Sequence, residues 1–214
     1  FKELEKKTKE ISPQIIYHFG ATLDRTRDFS KIDSIIDLNI KGTTNLLKSL
    51  IDIDYSSFIL SSTSDVYGDL EPPFTEDMPL NPASPYSVSK LSAELFCRIF
   101  SKIYNKPYSI IRLFNIYGEG QSENMFIPQL IQSCIKVKDF NMTNGEQIRE
   151  FNYVEDIVDA LILSTSNEMK NQIINLGNSN PMSIRFIADS IVRKFNHNIK
   201  LNYGAYNYRE NEIM

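Results

Sequence analysis

Apolar residues along this chain come in two spacings. Short runs closed by Gly, Ser or Thr predict buried strands: "QIIYHFGA" (14–21), "SSFILSSTSDVYG" (56–68) and "YSIIRLFNIYG" (108–118). Longer stretches repeat apolar positions at helical spacing. "FKELEKKTKEISPQ" reads as a helix already under way, with Phe1, Leu4 and Ile11 near one face. "SKIDSIIDLNIKGTTNLLKSL" (30–50) is periodic through Ile35, Ile36, Ile40 and Leu47. "PYSVSKLSAELFCRIFSKIY" (85–104) starts with Pro and repeats through Leu91, Leu95 and Ile99. Strands alternating with helices predict βαβ units, hence a parallel sheet with right-handed crossovers. After Gly118 the texture changes to "NMFIPQLIQSCI", a helix; "DFNMTNG", a short strand and turn; "YVEDIVDALILS", a helix with Val154, Ile157, Val158 and Leu161 on its apolar side; "QIINLG", a strand; and "MSIRFIADSIVRKF", a helix. The last part therefore predicts a smaller α/β unit packed on the first.

Composition narrows the classes. The chain has 214 residues, 42% hydrophobic and 23% charged, as in globular domains. No stretch approaches the ~18 apolar residues of a membrane span. A net charge of -4 argues against a general nucleic-acid binder, which needs clustered Lys and Arg, and leaves room for one small phosphorylated ligand. Cys97 and Cys134 are isolated, and His18 and His197 are far apart, so no metal site is expected and a reducing cytoplasm suits the chain.

In an open parallel sheet, ligands bind beyond the carboxyl ends of the strands. Those ends here are "HFGA", "SSTSDVYGD" and "RLFNIYG". Each alone equally suits a turn or a helix cap. Tyr86 and Lys90 in "SPYSVSK" stand four residues apart, which puts both on one helix face. A half-buried tyrosine beside a solvated lysine is the plain alternative. As chemistry, the pair needs help. A free tyrosine has a pKa of about 10, so a base working near pH 7 needs about 4 kcal/mol of bias. A nearby ammonium contributes about one to three pKa units, and a cationic nicotinamide ring could supply the rest. A hydroxyl from the adjacent strand end would bond the same substrate oxygen.

The order of motifs is more specific than any one of them. "HFGA", "NIKGTTNLL", "SSTSDVYGD", "PFTEDMPLNPASPYSVSK", "RLFNIYGEGQ", "GEQIREFNYVEDIVDA" and "INLGNS" together resemble the extended short-chain dehydrogenase/reductase family, the NAD-dependent epimerases and dehydratases of nucleotide sugars. The resemblance implies a partial Rossmann-type doubly wound parallel sheet over residues 1–118 and a smaller C-terminal α/β substrate-binding part over 119–214, with elements around 150–178 returning to the first domain. It implies NAD as cofactor, a nucleotide sugar as substrate, neither nucleic acid nor membrane as partner, and a homodimer in the complete protein. Residue by residue, Tyr86 becomes the base, Lys90 the group that depresses its pKa and holds the nicotinamide ribose, and Thr63 the catalytic hydroxyl. Phe19, Gly20, Ala21 and Asn39 line the cofactor along with Tyr86 and Lys90. Ser64, Asn115, Arg149 and Arg209 fall to the substrate, the last three to its diphosphate; for Arg149 a surface pair with a residue such as Glu150 is the structural alternative.

The implied chemistry is transient oxidation to a keto-sugar, with epimerisation of the UDP-glucose 4-epimerase type as the first reading. Asp65 keeps a second open. "TSDVYG" is similar to the Thr-Ser-Glu-Val-Tyr-Gly of UDP-glucuronate-type decarboxylases, with Asp65 as a catalytic acid one methylene shorter, or else a turn residue. Ser64 stands where sugar 4,6-dehydratases carry an acid. A non-catalytic NAD-binding regulator or scaffold is a third reading. No glycine-rich dinucleotide turn occurs in these residues, so the sequence is expected to lack the family's N-terminal strands, and by itself to bind NAD poorly, turn over no substrate and self-associate through an unpaired apolar edge.

Overall fold

The structure, a computed structural model, describes residues 1–23, 29–195, 199–209 and 212–214. His197 lies outside the described residues. In chain order the elements are α1 (Lys2–Ile11), β1 (Ile15–His18), α2 (Ile32–Ile35), a π-helical stretch (Ile36–Lys41), α3 (Gly42–Ser49), β2 (Ser57–Thr63), α4 (Pro85–Tyr104), β3 (Ser109–Leu113), β4 (Asn115–Tyr117), α5 (Phe126–Ile135), β5 (Phe140–Asn141), β6 (Ile148–Arg149), β7 (Phe151–Tyr153), α6 (Val154–Leu163), β8 (Gln172–Leu176), β9 (Met182–Ser183), α7 (Ile184–Phe195) and β10 (Leu201–Asn202). The chain divides into two units, Phe1–Phe114 with Val158–Leu176, and Asn115–Ile157 with Gly177–Met214.

In the first unit, β1, β2, β3 and β8 form a four-stranded sheet in that order, every pairing parallel. Strand alternation sorts its side chains. Phe58 and Leu60 of β2 and Ile110 of β3 join Leu47, Leu50, Ala93, Cys97 and Phe100 in one buried cluster, so α3 and α4 cover that face. The other face carries Ser57, whose hydroxyl donates to Thr165 O at 3.2 Å, and Ser109, whose hydroxyl donates to Met169 O at 2.7 Å. The segment that follows α6 covers it. Such two-sided cover explains why β2 is buried at all seven positions. Among the described residues β1 is paired on one side only, and Ile15, Tyr17 and Phe19 are exposed there.

The helix expected at the start forms as α1, with Phe1, Leu4 and Ile11 exposed; it is seated through Thr8, whose hydroxyl lies 3.1 Å from that of Ser49 on α3. The helix expected over 30–50 forms as one unbroken run of helical backbone, α2, the π-helical stretch and α3. The strand expected over 108–118 stops at Leu113. Phe114 N donates to Leu176 O at 3.3 Å, and Asn115–Tyr117 turns away to pair with β7 in the second unit.

Among its described residues the second unit has only two-stranded pairings: β4 with β7, β6 with β9, and β5 with β10. Its core is Leu130 and Cys134 of α5, Met142, Ala188 of α7 and Ile199. Among the described residues, no helix is long and apolar enough to cross a membrane, and no three His, Cys, Asp or Glu side chains gather as metal ligands.

Candidate active site

Strand β2 ends on Thr63, which caps the 3-10 turn Ser64–Tyr67: its Oγ1 accepts the Asp65 N–H at 3.1 Å. The turn closes on Gly68 at φ +67°, where an added Cβ would lie 1.8 Å from Asn81 O. Only glycine fits there. Asn81 N donates to Val66 O at 3.0 Å, which holds the loop back on the turn.

Helix α4 begins right after that loop. Ser84 is its N-cap, Pro85 its first residue, and Ser84 and Ser87 cap each other reciprocally. This anchoring fixes the first turn, which carries Tyr86. Tyr86 is 3% exposed and Lys90 5%, so both point inward, one turn apart, on the helix that packs against β2 and the 64–67 turn. The inward side of α4 is thus polar at its start: Tyr86, Ser87, Ser89, Lys90 and Glu94 are all buried. Its outer side is apolar. Leu95 and Ile99, part of its apolar repeat, are 47% and 55% exposed.

Asn39 stands on the π-helical stretch and is 1% exposed. Its Oδ1 accepts Thr22 N–H at 2.8 Å, and its Nδ2 donates to Ser89 Oγ at 2.9 Å and to Thr22 O at 3.3 Å. The amide is fully used. It ties the 20–22 loop to α4 between Tyr86 and Lys90, since Ser89 Oγ in turn donates to Tyr86 O at 2.7 Å. Phe19 and Gly20 lie exposed just past β1, and Ala21 is half-buried.

His18 closes the same corner. Thr43 Oγ1 gives its proton to Asn39 O at 2.6 Å, so at 2.8 Å it accepts from His18 Nε2–H. Burial first, then Lys90, push the His18 pKa down to about 4, which keeps the ring neutral. Burial also lowers Lys90, to about 8, against the opposing charge of Glu94. His18 and Glu94 were not singled out from the sequence. Glu94 could have been, standing four residues beyond Lys90 on the same helix face.

The second unit holds the other candidates. Asn115 Nδ2 donates to Glu150 O at 3.1 Å. Arg149 pairs not with Glu150 but with Glu212 at 2.9 Å, and it also donates to Ile213 O at 2.6 Å. Arg209 is exposed, and its carbonyl accepts from Glu212 N at 3.1 Å, so this unit brings Arg149 to the segment that carries Arg209.

Comparison with known proteins supplies the frame for these residues. The family model for the NAD dependent epimerase/dehydratase family matches residues 1–177. The chain belongs to this family. It is 34% identical over 206 residues to the UDP-glucuronate 4-epimerase of Thermodesulfobacterium geofontis, covering 95% of this chain and 64% of that one. Among solved structures, this family member superposes with a TM-score of 0.91 on a UDP-N-acetylglucosamine 4-epimerase from Methanobrevibacter ruminantium, at 28% identity, covering 99% of this chain and 68% of the other. With the UDP-glucuronic acid 4-epimerase of Bacillus cereus in complex with UDP-glucuronic acid and NAD, the TM-score is 0.85 at 30% identity, covering 94% and 65%. The chain therefore spans about 64% of the length of the first curated relative.

The donors present fit the nicotinamide end of the family's cofactor. An ammonium, a phenol and a hydroxyl stand at the carboxyl end of a parallel sheet, beside the 19–21 loop, in which Phe19 and Gly20 are exposed and Ala21 is half-buried.

Proposed function

We propose that the whole protein of which these residues are part is an NAD-dependent nucleotide-sugar epimerase that inverts a ring carbon of a UDP-sugar by transient oxidation. The observation that carries this reading is the buried Tyr86–Lys90 pair on α4, packed against the strand end that presents Thr63. Tyr86 takes the proton from the sugar hydroxyl, and Thr63 bonds the same oxygen. Lys90, held charged below pH of about 8, lowers the cost of the phenolate. Tyr86, Lys90 and the Phe19–Ala21 loop would hold the nicotinamide end of NAD, which supplies a reversible hydride acceptor when bound. Asn39 shapes that loop from behind. Ser64, Asn115, Arg149 and Arg209 are assigned to the substrate, the arginines to its diphosphate because a guanidinium binds phosphate in a two-point fork. The first unit is assigned to NAD and the second mainly to substrate.

The same reading includes a homodimer and a cytoplasmic setting. The outer side of α4 supports the first: Val88, Leu95, Phe96, Ile99 and Ile103 are each at least 45% exposed, an apolar stripe along one helix. Two free buried cysteines, Cys97 and Cys134, support the second.

The test is product analysis by NMR on the full-length protein with NAD and UDP-glucose, UDP-N-acetylglucosamine and UDP-glucuronate. Formation of a 4-epimer supports the proposal. Carbon dioxide release from UDP-glucuronate without an epimer would favour the decarboxylase reading of Asp65. Stabilisation by UDP-sugars with no product at all would favour a regulator.

A further inference from the structure

The face of the sheet under α4 changes character along its length. Phe58 and Leu60 of β2 and Ile110 of β3 are followed, two residues on, by Ser62 and Arg112. Arg112 is 2% exposed and Glu94, facing it from α4, is 1% exposed. The pair is a two-point fork: Arg112 Nε donates to Glu94 Oε1 at 3.1 Å and Nη2 to Oε2 at 2.8 Å. The hydroxyl of Ser62 donates to the same Oε1. The remaining arm, Nη1, donates to the Tyr67 hydroxyl at 2.8 Å and to Glu76 O at 3.3 Å. Tyr67 passes its proton on to Asn175 Oδ1 at 2.8 Å, and Asn175 holds Phe74 O at 3.1 Å through its amide and the Glu76 carboxylate at 2.7 Å through its backbone N–H. The Tyr67 ring stacks on Phe74 at 4.6 Å and lies 5.0 Å from the guanidinium.

Burying two charges gains little stability, because desolvation offsets their attraction. What such a network does supply is a single geometry. Its members are neighbours of the proposed catalytic groups. Ser62 immediately precedes Thr63, and Glu94 follows Lys90 by one helical turn. We propose that Glu94 and Arg112 are positioning residues, whose ion pair locks the Thr63 strand end against the Tyr86–Lys90 turn and latches the 74–76 segment over it. This rests on the role proposed for Tyr86 and Lys90. Glu94 is also the carboxylate that opposes the loss of charge from Lys90. Tyr86 stands one turn before Lys90 on the same helix, and His18 of β1, kept neutral in part by the Lys90 charge, also faces it.

The experiment uses full-length protein carrying Glu94→Gln, which keeps the shape and loses the charge, and the double variant Glu94→Gln/Arg112→Gln, which leaves no unpaired charge. Two quantities are read: kcat and KM on whichever UDP-sugar is turned over, and the titration of Lys90 by NMR of its 15N-labelled Nζ, assigned with Lys90→Arg. For Glu94→Gln, kcat is expected to fall about ten- to hundredfold with KM little changed, since small misplacements act on the reacting geometry. The Lys90 midpoint is expected to fall by about one unit. In the double variant thermal stability should recover while kcat and the midpoint stay displaced. Recovery of kcat along with stability would overturn the proposal, because the pair would then serve folding alone. An unmoved Lys90 midpoint in Glu94→Gln would overturn it too. That readout needs no substrate, so it stands even if no UDP-sugar is turned over, a result that counts against the proposed reaction instead. If Glu94→Gln does not fold, the double variant carries both readouts.

Discussion

At the scale of single residues, three side chains make separate claims. Tyr86→Phe removes one buried hydroxyl and no packing volume, so the fold should survive while kcat falls about 10²–10⁴-fold. A full-length variant retaining more than half of its kcat would remove Tyr86 from the base's role. His18 makes a claim about stability. Its folded pKa of about 4 lies below the 6.5 of an exposed histidine, so between those values the unfolded chain binds the extra proton. Stability from neutral His18 is full above pH of about 6.5 and is lost as pH falls towards 4. Melting temperatures of wild type and His18→Gln should therefore differ in pH dependence, the wild type losing more between those limits; parallel curves would contradict the assignment. Arg149→Ala should weaken UDP-sugar binding by about 1.5–3 kcal/mol, the range for a hydrogen bond to a charged group, and leave NAD affinity nearly unchanged. Equal losses for both ligands by calorimetry would mean that Arg149 serves the 212–213 segment it bonds.

At the scale of elements, the turn between β2 and α4 is the most constrained. Gly68→Ala would place a Cβ 1.8 Å from Asn81 O at φ +67°. Both strain and clash act, so a loss of about 3 kcal/mol or more is expected in urea unfolding. A loss under 1 kcal/mol would mean the loop moves freely. Helix α4 shows how far sequence reading reaches. Its start was legible in Pro85, because a proline at the first helical position is local chemistry. Its inward face was not legible. The repeat through Leu91, Leu95 and Ile99 marks a helix but not its buried side, where Ala93, Cys97 and Phe100 pack on the sheet with Lys90 and Glu94 beside them. The π-helical stretch was equally illegible, because one widened turn leaves the apolar spacing nearly unchanged.

At the scale of the whole molecule, the apolar outer side of α4 bears on the proposed dimer. For the full-length protein, Ile99→Glu with Ile103→Glu should convert a dimer to a monomer in analytical ultracentrifugation with little change in unfolding free energy, since both side chains are exposed, at 55% and 66%. A dimer that persists would place the interface elsewhere.

The sequence by itself determined the parallel α/β class, the order of strands and helices, and the family, because unbroken apolar runs, turn glycines and spaced motifs are all properties of short segments. Tyr86 and Lys90 could be named together for the same reason: a helix puts residues four apart on one face whatever surrounds it. Periodicity does not say which face is turned inward. The tertiary structure decided that Ala93, Cys97 and Phe100 of α4 meet the sheet with Lys90 and Glu94 beside them, that α1 is seated by Thr8, and that Arg149 meets Glu212 across 63 residues of chain. It alone joined Glu94, Arg112, Tyr67 and Asn175, which come from four separate elements. A buried charge reads in sequence as an exposed one until its partner is found, and that partner is a matter of distance in space.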